Sequence, residues 1–283
     1  MHLKLFKSVW GMSGTWASKL QQISEAGYTG VECGMPTEEE EEQFLSLLEE
    51  YGLELILQIY TQGEHRDSFE RQAERAATFH PLLINSHSAK DSMPYDAQLL
   101  FFERALEVEK QLGIPIGHET HRGRATFTPW STARLLNDLP DLHIVADLSH
   151  WCCVCESMLA DQQMNISLVA QQTIHVHGRV GYEEGPQVPD FRAPEYEYAL
   201  ARHELWWDEI VDCHVRMQKP FFTFTPEFGP PKYMHTLPFT DQPVVDLWEI
   251  CSAMGQRFKE RFESRVTSPT RRSSERAQVF EVD

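Results

Sequence analysis

No stretch of this chain approaches the ~18 consecutive apolar residues of a membrane helix, and basic residues are scarce, with 25 lysines and arginines against 43 aspartates and glutamates. The first absence excludes a helical membrane span. The second, a formal charge of -18, argues against a surface built to embrace nucleic acid or anionic lipid. The opening residues MHLKLFKSVW lack a signal peptide's long apolar region and small-residue cleavage site. A cytoplasmic protein with neither membrane nor nucleic-acid partner is therefore expected. Cysteine is sparse as well: three of the six crowd into Trp151-Cys152-Cys153-Val154-Cys155, without the paired spacing of a zinc site or a disulfide framework. They read as reduced and mostly buried. Finally, no G-x-G-x-x-G or P-loop follows an early strand, which counts against an open doubly wound sheet.

What the chain does have is a recurring alternation. With 41% hydrophobic residues over 283 positions, it can fill one large core, and a single α/β barrel of roughly 250 residues suits that length. Strands are expected at Leu3 to Val9, Tyr28 to Cys33, Leu53 to Tyr60, Leu82 to Ser86, Ile114 to Arg122, Leu142 to Leu148, Thr173 to His177 and Phe221 to Thr225. Helical spacing marks Thr15 to Ala26, Asp96 to Leu112, Tyr198 to Met217 and Val244 to Phe262. Another helix opens at Pro36-Thr37, where Glu38 to Glu42 answer the N-terminal dipole. Eight strands alternating with helices at intervals of about 20 to 45 residues predict a (β/α)8 TIM barrel as a single domain. That domain is expected over 1–265, with 266–283 as a polar, aperiodic tail.

The candidate chemistry sits at strand ends. In Ile114 to Arg122, read IPIGHETHR, alternation puts Glu119 and His121 on one face and His118 on the other. In a parallel barrel that end is the mouth, where loops build active sites. Three later strands finish the same way, with Asp147 after Ile144-Val145-Ala146, His177 in His175-Val176-His177-Gly178-Arg179, and Glu227 after Phe224-Thr225-Pro226. Three carboxylates and one imidazole form a hard-leaning set suited to one divalent ion, Mn²⁺ first, with Mg²⁺, Co²⁺ or Zn²⁺ admissible. Without a cation, three carboxylates facing one mouth would repel each other and resist ionisation.

The series Glu119, Asp147-x-x-His150, His175-x-His177 and Glu227 resembles the xylose isomerase-like barrel superfamily of sugar phosphate isomerases and epimerases. That group also includes ketose 3-epimerases, inosose and 3-dehydroshikimate dehydratases and endonuclease IV-type enzymes. The resemblance implies that Glu119, Asp147, His177 and Glu227 bind the metal and that His150 contacts substrate. It also implies an isomerase or epimerase working through a metal-stabilised enediolate, with Glu119 and Glu227 as the acid/base pair on opposite faces of a sugar or related polyol. In the dehydratases a histidine two residues after the first glutamate is the base, and His121 stands there; as a neutral imidazole it would suit that work. A lyase is thus the alternative. An endonuclease IV-like phosphodiesterase is a third, disfavoured by the acidic chain. The pattern departs from the family at Gly178-Arg179, which bears on the substrate more than on the metal.

Substrate contacts are bounded more loosely. Arg179, Arg122 and Lys232 are candidates for holding a carboxylate or phosphate. The acidic loop from Gly181 to Pro189 offers no glycine-rich nest, which favours an unphosphorylated polyol or an oxidised sugar. Trp151 and Trp10, just past strand ends, could offer flat faces to a sugar ring. His87 and Glu32 end earlier strands and could meet hydroxyl groups. A homo-oligomer is compatible with all of this.

Overall fold

Eight short apolar runs, each too short to bury itself alone, solve their exposure by pairing edge to edge until the sheet closes. In the computed structural model, which describes residues 1–267, the strands are β1 (His2–Ser8), β2 (Gly30–Gly34), β3 (Glu54–Tyr60), β4 (Leu83–His87), β5 (Ile116–Glu119), β6 (His143–Ala146), β7 (Thr173–His177) and β8 (Phe221–Thr225). They pair in parallel in chain order, and β8 returns to β1. A closed parallel barrel leaves no sheet edge unpaired. The helices wrapped around it are α1 (Trp16–Glu25), α2 (Glu41–Tyr51), α3 (His65–Ala77), α4 (Tyr95–Leu112), α5 (Pro129–Asp138), α6 (Ser149–Cys155), α7 (Gln163–Gln172), α8 (Glu197–Arg216) and α9 (Leu247–Thr267). None of them is long and apolar enough to cross a membrane.

Local chemistry sets the element ends. The Thr15 hydroxyl accepts from Ser18 N–H at the start of α1, and Thr128 does the same for Ser131 before Pro129 opens α5. These caps satisfy otherwise orphaned amides. Thr37 and Glu40 form a capping box ahead of α2, which is where the acidic run finds its use. Helices α2 and α4 stop at Gly52 and Gly113, both left-handed. Between α8 and α9, Glu204, Asp208 and Asp212 face Arg257, Arg261 and Arg265 in a ladder of ion pairs that repeats every four residues on both parallel helices.

Most boundaries shift by one or two residues, and two shift by more. Strand β5 ends at Glu119, so His121 lies in the following loop rather than on the strand; the chain leaves the sheet when Thr120 turns its hydroxyl onto Asp147 O at 2.8 Å. Helix α9 begins at Leu247 instead of Val244 and runs through Thr267, taking in the first two residues of the expected tail. The rest of that tail lies outside the described residues.

The barrel interior is layered. Phe6, Ile56 and Leu83 plug its lower end. Gly30 makes room for that plug, since a Cβ there would stand 2.4 Å from the Phe6 ring. Above the plug the inward side chains turn polar, and above those they ionise.

Candidate metal centre

Glu119 is the last residue of β5, Asp147 follows β6, His177 closes β7 and Glu227 stands two residues beyond β8. One ligand atom from each lies within 4.8 Å of the other three, and all four residues are buried. His177 Nδ1 is 3.1 Å from Glu227 Oε2 and 3.7 Å from Glu119 Oε2. Two further trios could also gather around an ion: Glu32 with His175 and His177, and His87 with Glu119 and His121.

Hydrogen bonding separates these clusters. Both Glu32 oxygens are saturated: Oε1 accepts from His177 Nε2 at 2.9 Å, Gln58 at 3.1 Å and Asn85 at 3.2 Å, while Oε2 accepts from Thr225 at 2.5 Å and lies 3.2 Å from His175 Nε2. Glu119 Oε1 and His177 Nδ1, by contrast, are buried without a hydrogen-bond partner. An unsatisfied carboxylate oxygen beside an unsatisfied imidazole nitrogen is costly in a dry site. The donor set therefore fits a divalent cation in the four-residue cluster. The bond from Nε2 to Glu32 fixes the His177 tautomer and turns Nδ1 toward that cluster, as outer carboxylates do for ligating histidines.

Electrostatics point the same way. Burial pushes the Asp147 carboxyl up to about 6, against the pull of Arg179. Burial would also raise Glu119, but His87 and His177 hold it well below the carboxylate range. His177, despite burial, is raised well above the ordinary imidazole value by Glu227, Glu32 and Glu119. Three carboxylates competing for positive charge is the condition a metal ion relieves.

Other predicted residues fall into distinct places. His87 lines the cavity, with Nε2 2.9 Å from Glu119 Oε2. His121 lines it too; Nδ1 donates to Arg122 O at 2.6 Å, which leaves Nε2 as the basic nitrogen, and burial lowers its pKa to about 3. His150 is fully buried, its Nε2 accepting from Arg179 at 2.9 Å and its ring 3.9 Å from that of His121. Arg179 bonds Asp147 Oδ2 and Ser149 Oγ while facing the cavity. Gly178 lets it do so, because a Cβ there would stand 2.0 Å from the Phe224 ring.

Three expectations need correction. Trp151 offers no face to a ligand: it enters α6 fully buried, with its indole N–H given to Thr126 O at 2.9 Å. Glu32 is likewise closed to solvent, and its oxygens serve His177 instead of a substrate hydroxyl. Lys232 sits in the turn after β8, apart from the cavity lining, whereas Trp10 does contribute to it.

The cavity of about 450 Å³ is also lined by residues the sequence reading missed, notably Gln58, Tyr60, Arg124 and Tyr233. Asn85, beneath it, donates to Glu119 Oε2 at 2.7 Å. The signal that could have found Gln58 and Asn85 is a hydrogen-bonding side chain in the middle of an apolar strand.

A family model described as "Xylose isomerase-like TIM barrel" matches residues 20–195. No curated protein matches the chain. Among solved structures, the probable 3-DHS dehydratase AsbF of petrobactin synthesis from Bacillus anthracis aligns at 18% identity and TM-score 0.60, covering 92% of this chain and 100% of its own. A D-tagatose 3-epimerase-like protein aligns at 13% identity and TM-score 0.60, with coverage of 94% and 98%. A xylose isomerase-like TIM barrel protein from Mycobacterium smegmatis, in complex with magnesium, aligns at 11% identity and TM-score 0.61, with coverage of 93% and 97%. At these identities the likeness is one of fold.

Proposed function

The chain belongs to the xylose isomerase-like TIM barrel family, and from that premise we propose that it is a divalent-metal-dependent isomerase or epimerase of a sugar or related keto-polyol. The observation that carries this reading is the cluster of Glu119, Asp147, His177 and Glu227, whose ligand atoms converge to within 4.8 Å at the base of an open cavity. A divalent ion held there supplies electrophilic charge neutralisation next to a carbonyl, which makes the neighbouring C–H acidic.

The chain's own groups do the rest. Glu119 ends β5 and Glu227 follows β8, three strands apart around the barrel. One takes the proton from carbon; the other returns a proton to the opposite face, inverting the centre, or to the adjacent carbon, moving the carbonyl. Arg179 keeps Asp147 oriented and adds positive charge near Glu227, 3.7 Å from its Oε2. Trp10 and Tyr233 close one side of the cavity, their rings packed edge to face at 4.9 Å.

A lyase is the second reading, favoured by His121. Its Nδ1 is committed to Arg122 O, so Nε2 carries a lone pair at the cavity wall. Proton removal there, followed by departure of a β-hydroxyl as water, would yield an unsaturated carbonyl product.

The test is metal analysis of purified protein, followed by turnover of keto-sugars and cyclic polyol ketones in D₂O with Mn²⁺. Deuterium at carbon without net loss of water supports the isomerase. A product absorbing as a conjugated enone selects the lyase. The Glu227→Gln variant should stay folded and lose at least ~10²-fold in turnover; full activity in that variant, or no exchange with any such substrate, overturns the proposal.

A further inference from the structure

We propose that a second cleft, opening off the main cavity between the loops after β3, β4 and β5, is an anion subsite, so that the substrate carries a carboxylate or phosphate at one end. The cleft, of about 360 Å³, shares His121 and Arg124 with the main cavity and adds Lys90, Arg122 and His65 to its walls. A ligand reacting beside His121 thus has a continuous path into it.

Its charge is unusual for this chain. The protein carries 43 acidic residues against 25 basic ones, yet no carboxylate lines this cleft. Several cations elsewhere are neutralised: Arg104, Arg192, Arg257 and Arg265 are each locked on aspartate or glutamate at 2.6 to 2.8 Å. Among the described residues Lys90, Arg122 and Arg124 make no ion pair. Three cations without a direct carboxylate partner around one concavity focus positive potential into it, with Glu119 and Asp91 offsetting Arg124 only from a distance.

Arg124 is also built in place. Its Nη1 donates to Thr61 O at 2.8 Å and to Ala89 O at 3.3 Å, which pins the guanidinium across the β3 and β4 loops and leaves its remaining N–H groups for a ligand. A guanidinium fixed by one edge suits an oxyanion. His65, with Nδ1 2.8 Å from Thr61 Oγ1, is held below its ordinary pKa by burial and by Arg124 and Lys90, with Glu64 opposing. Asp91 and Glu64 flank the region without entering the lining. The inference deepens the carbonyl chemistry proposed above and relies on it only for calling the ligand a substrate.

Calorimetric titration of the purified protein tests it, with inorganic phosphate, D-gluconate and uncharged D-glucitol as probes. At least one anion is expected to bind at least tenfold more tightly than glucitol. Arg124→Gln should weaken that anion about tenfold or more, the loss of one charge-assisted contact, and weaken glucitol by a clearly smaller factor. Because Arg124 also holds two loop carbonyls, the double variant Lys90→Gln/Arg122→Gln serves as the second arm and should show a comparable loss. Preference for phosphate identifies a phosphorylated substrate, and preference for gluconate a sugar acid. Anions that bind no better than glucitol, or that bind both folded variants as well as the parent, overturn the subsite. Deuterium exchange is read separately, so anion binding without exchange would fail the isomerase reading and leave the subsite standing.

Discussion

Glu32 is the residue whose alteration most directly tests how the metal centre is held. It touches no ligand position itself, yet its Oε1 accepts the His177 Nε2 proton at 2.9 Å in a fully buried setting. Glu32→Gln keeps an acceptor of the same shape and removes the charge. A hydrogen bond to a buried charged group contributes about 1.5 to 3 kcal/mol, and Glu32→Gln gives up part of that. The expected loss in Mn²⁺ affinity is therefore about 10-fold, at the lower end of the range found for outer carboxylates. Glu32→Ala strips the acceptor from His177, Gln58, Asn85 and Thr225 together, so affinity and thermal stability should fall together. The assay is competition for Mn²⁺ with a chromogenic chelator, run on variants whose circular dichroism matches the parent. Thr225→Val is the control: it removes a hydroxyl that bonds Glu32 Oε2 and His175 and leaves the Oε1 bond to His177 in place, and should cost clearly less. If folded Glu32→Gln binds Mn²⁺ within twofold of the parent, the account of His177 orientation is wrong.

Chelation should destabilise the protein, because Glu119, Asp147 and Glu227 are then left with Arg179, His87 and His177 as their nearest ion-pair partners. An ion present at 100 times its Kd adds about 2.7 kcal/mol, so Tm should drop by about 5 to 10 °C with EDTA and return with Mn²⁺; an unchanged Tm would argue against a resident ion. Gly178→Ala places a methyl 2.0 Å from a Phe224 ring already stacked on Phe258 at 3.7 Å, so denaturant melts should show about 2 to 3 kcal/mol lost. Stability should also fall in acid through His203, which must stay neutral because its Nε2 accepts from Gly181 N–H while its Nδ1 donates to Ala199 O. Burial lowers its pKa from 6.5 to about 4. Its contribution is therefore complete above pH 6.5 and is lost as pH falls toward 4, by about 3 kcal/mol. A His203→Gln variant should flatten that slope in pH-dependent urea melts, and an unaltered slope would contradict the assignment.

How far the sequence could be read follows from what alternation does and does not encode. Strands β7 and β8 end where an apolar run meets Gly178 and Pro226, and the expected and observed bounds coincide. β5 was expected too long because its extent depends on its neighbours: it pairs with β4 only at Ile116, Gly117 and His118, information its own residues do not hold. The convergence of Glu119, Asp147, His177 and Glu227 was legible because ionisable groups are rare after apolar runs. Trp151 was misplaced for the opposite reason, since a large aromatic after a strand suits a ligand wall and a helix core equally well. The middle layer was hidden by a subtler ambiguity: period two says which residues share a face and not which face is the lumen. One anchored residue removes it. Once Glu119 is inward, so is Gly117, and the register carries that parity across Gly117 to Asn85, Asn85 to Gln58 and Gln58 to Gly34. Gly34 in turn shares its face with Glu32. Glu32, Gln58 and Asn85 then form one inward belt under that cluster, a conclusion that needs closure of the barrel and no further chemistry. The cations of the side cleft follow no such parity, because Lys90, Arg122 and Arg124 lie in loops whose course is set by tertiary contacts such as the Arg124 bonds to Thr61 O and Ala89 O.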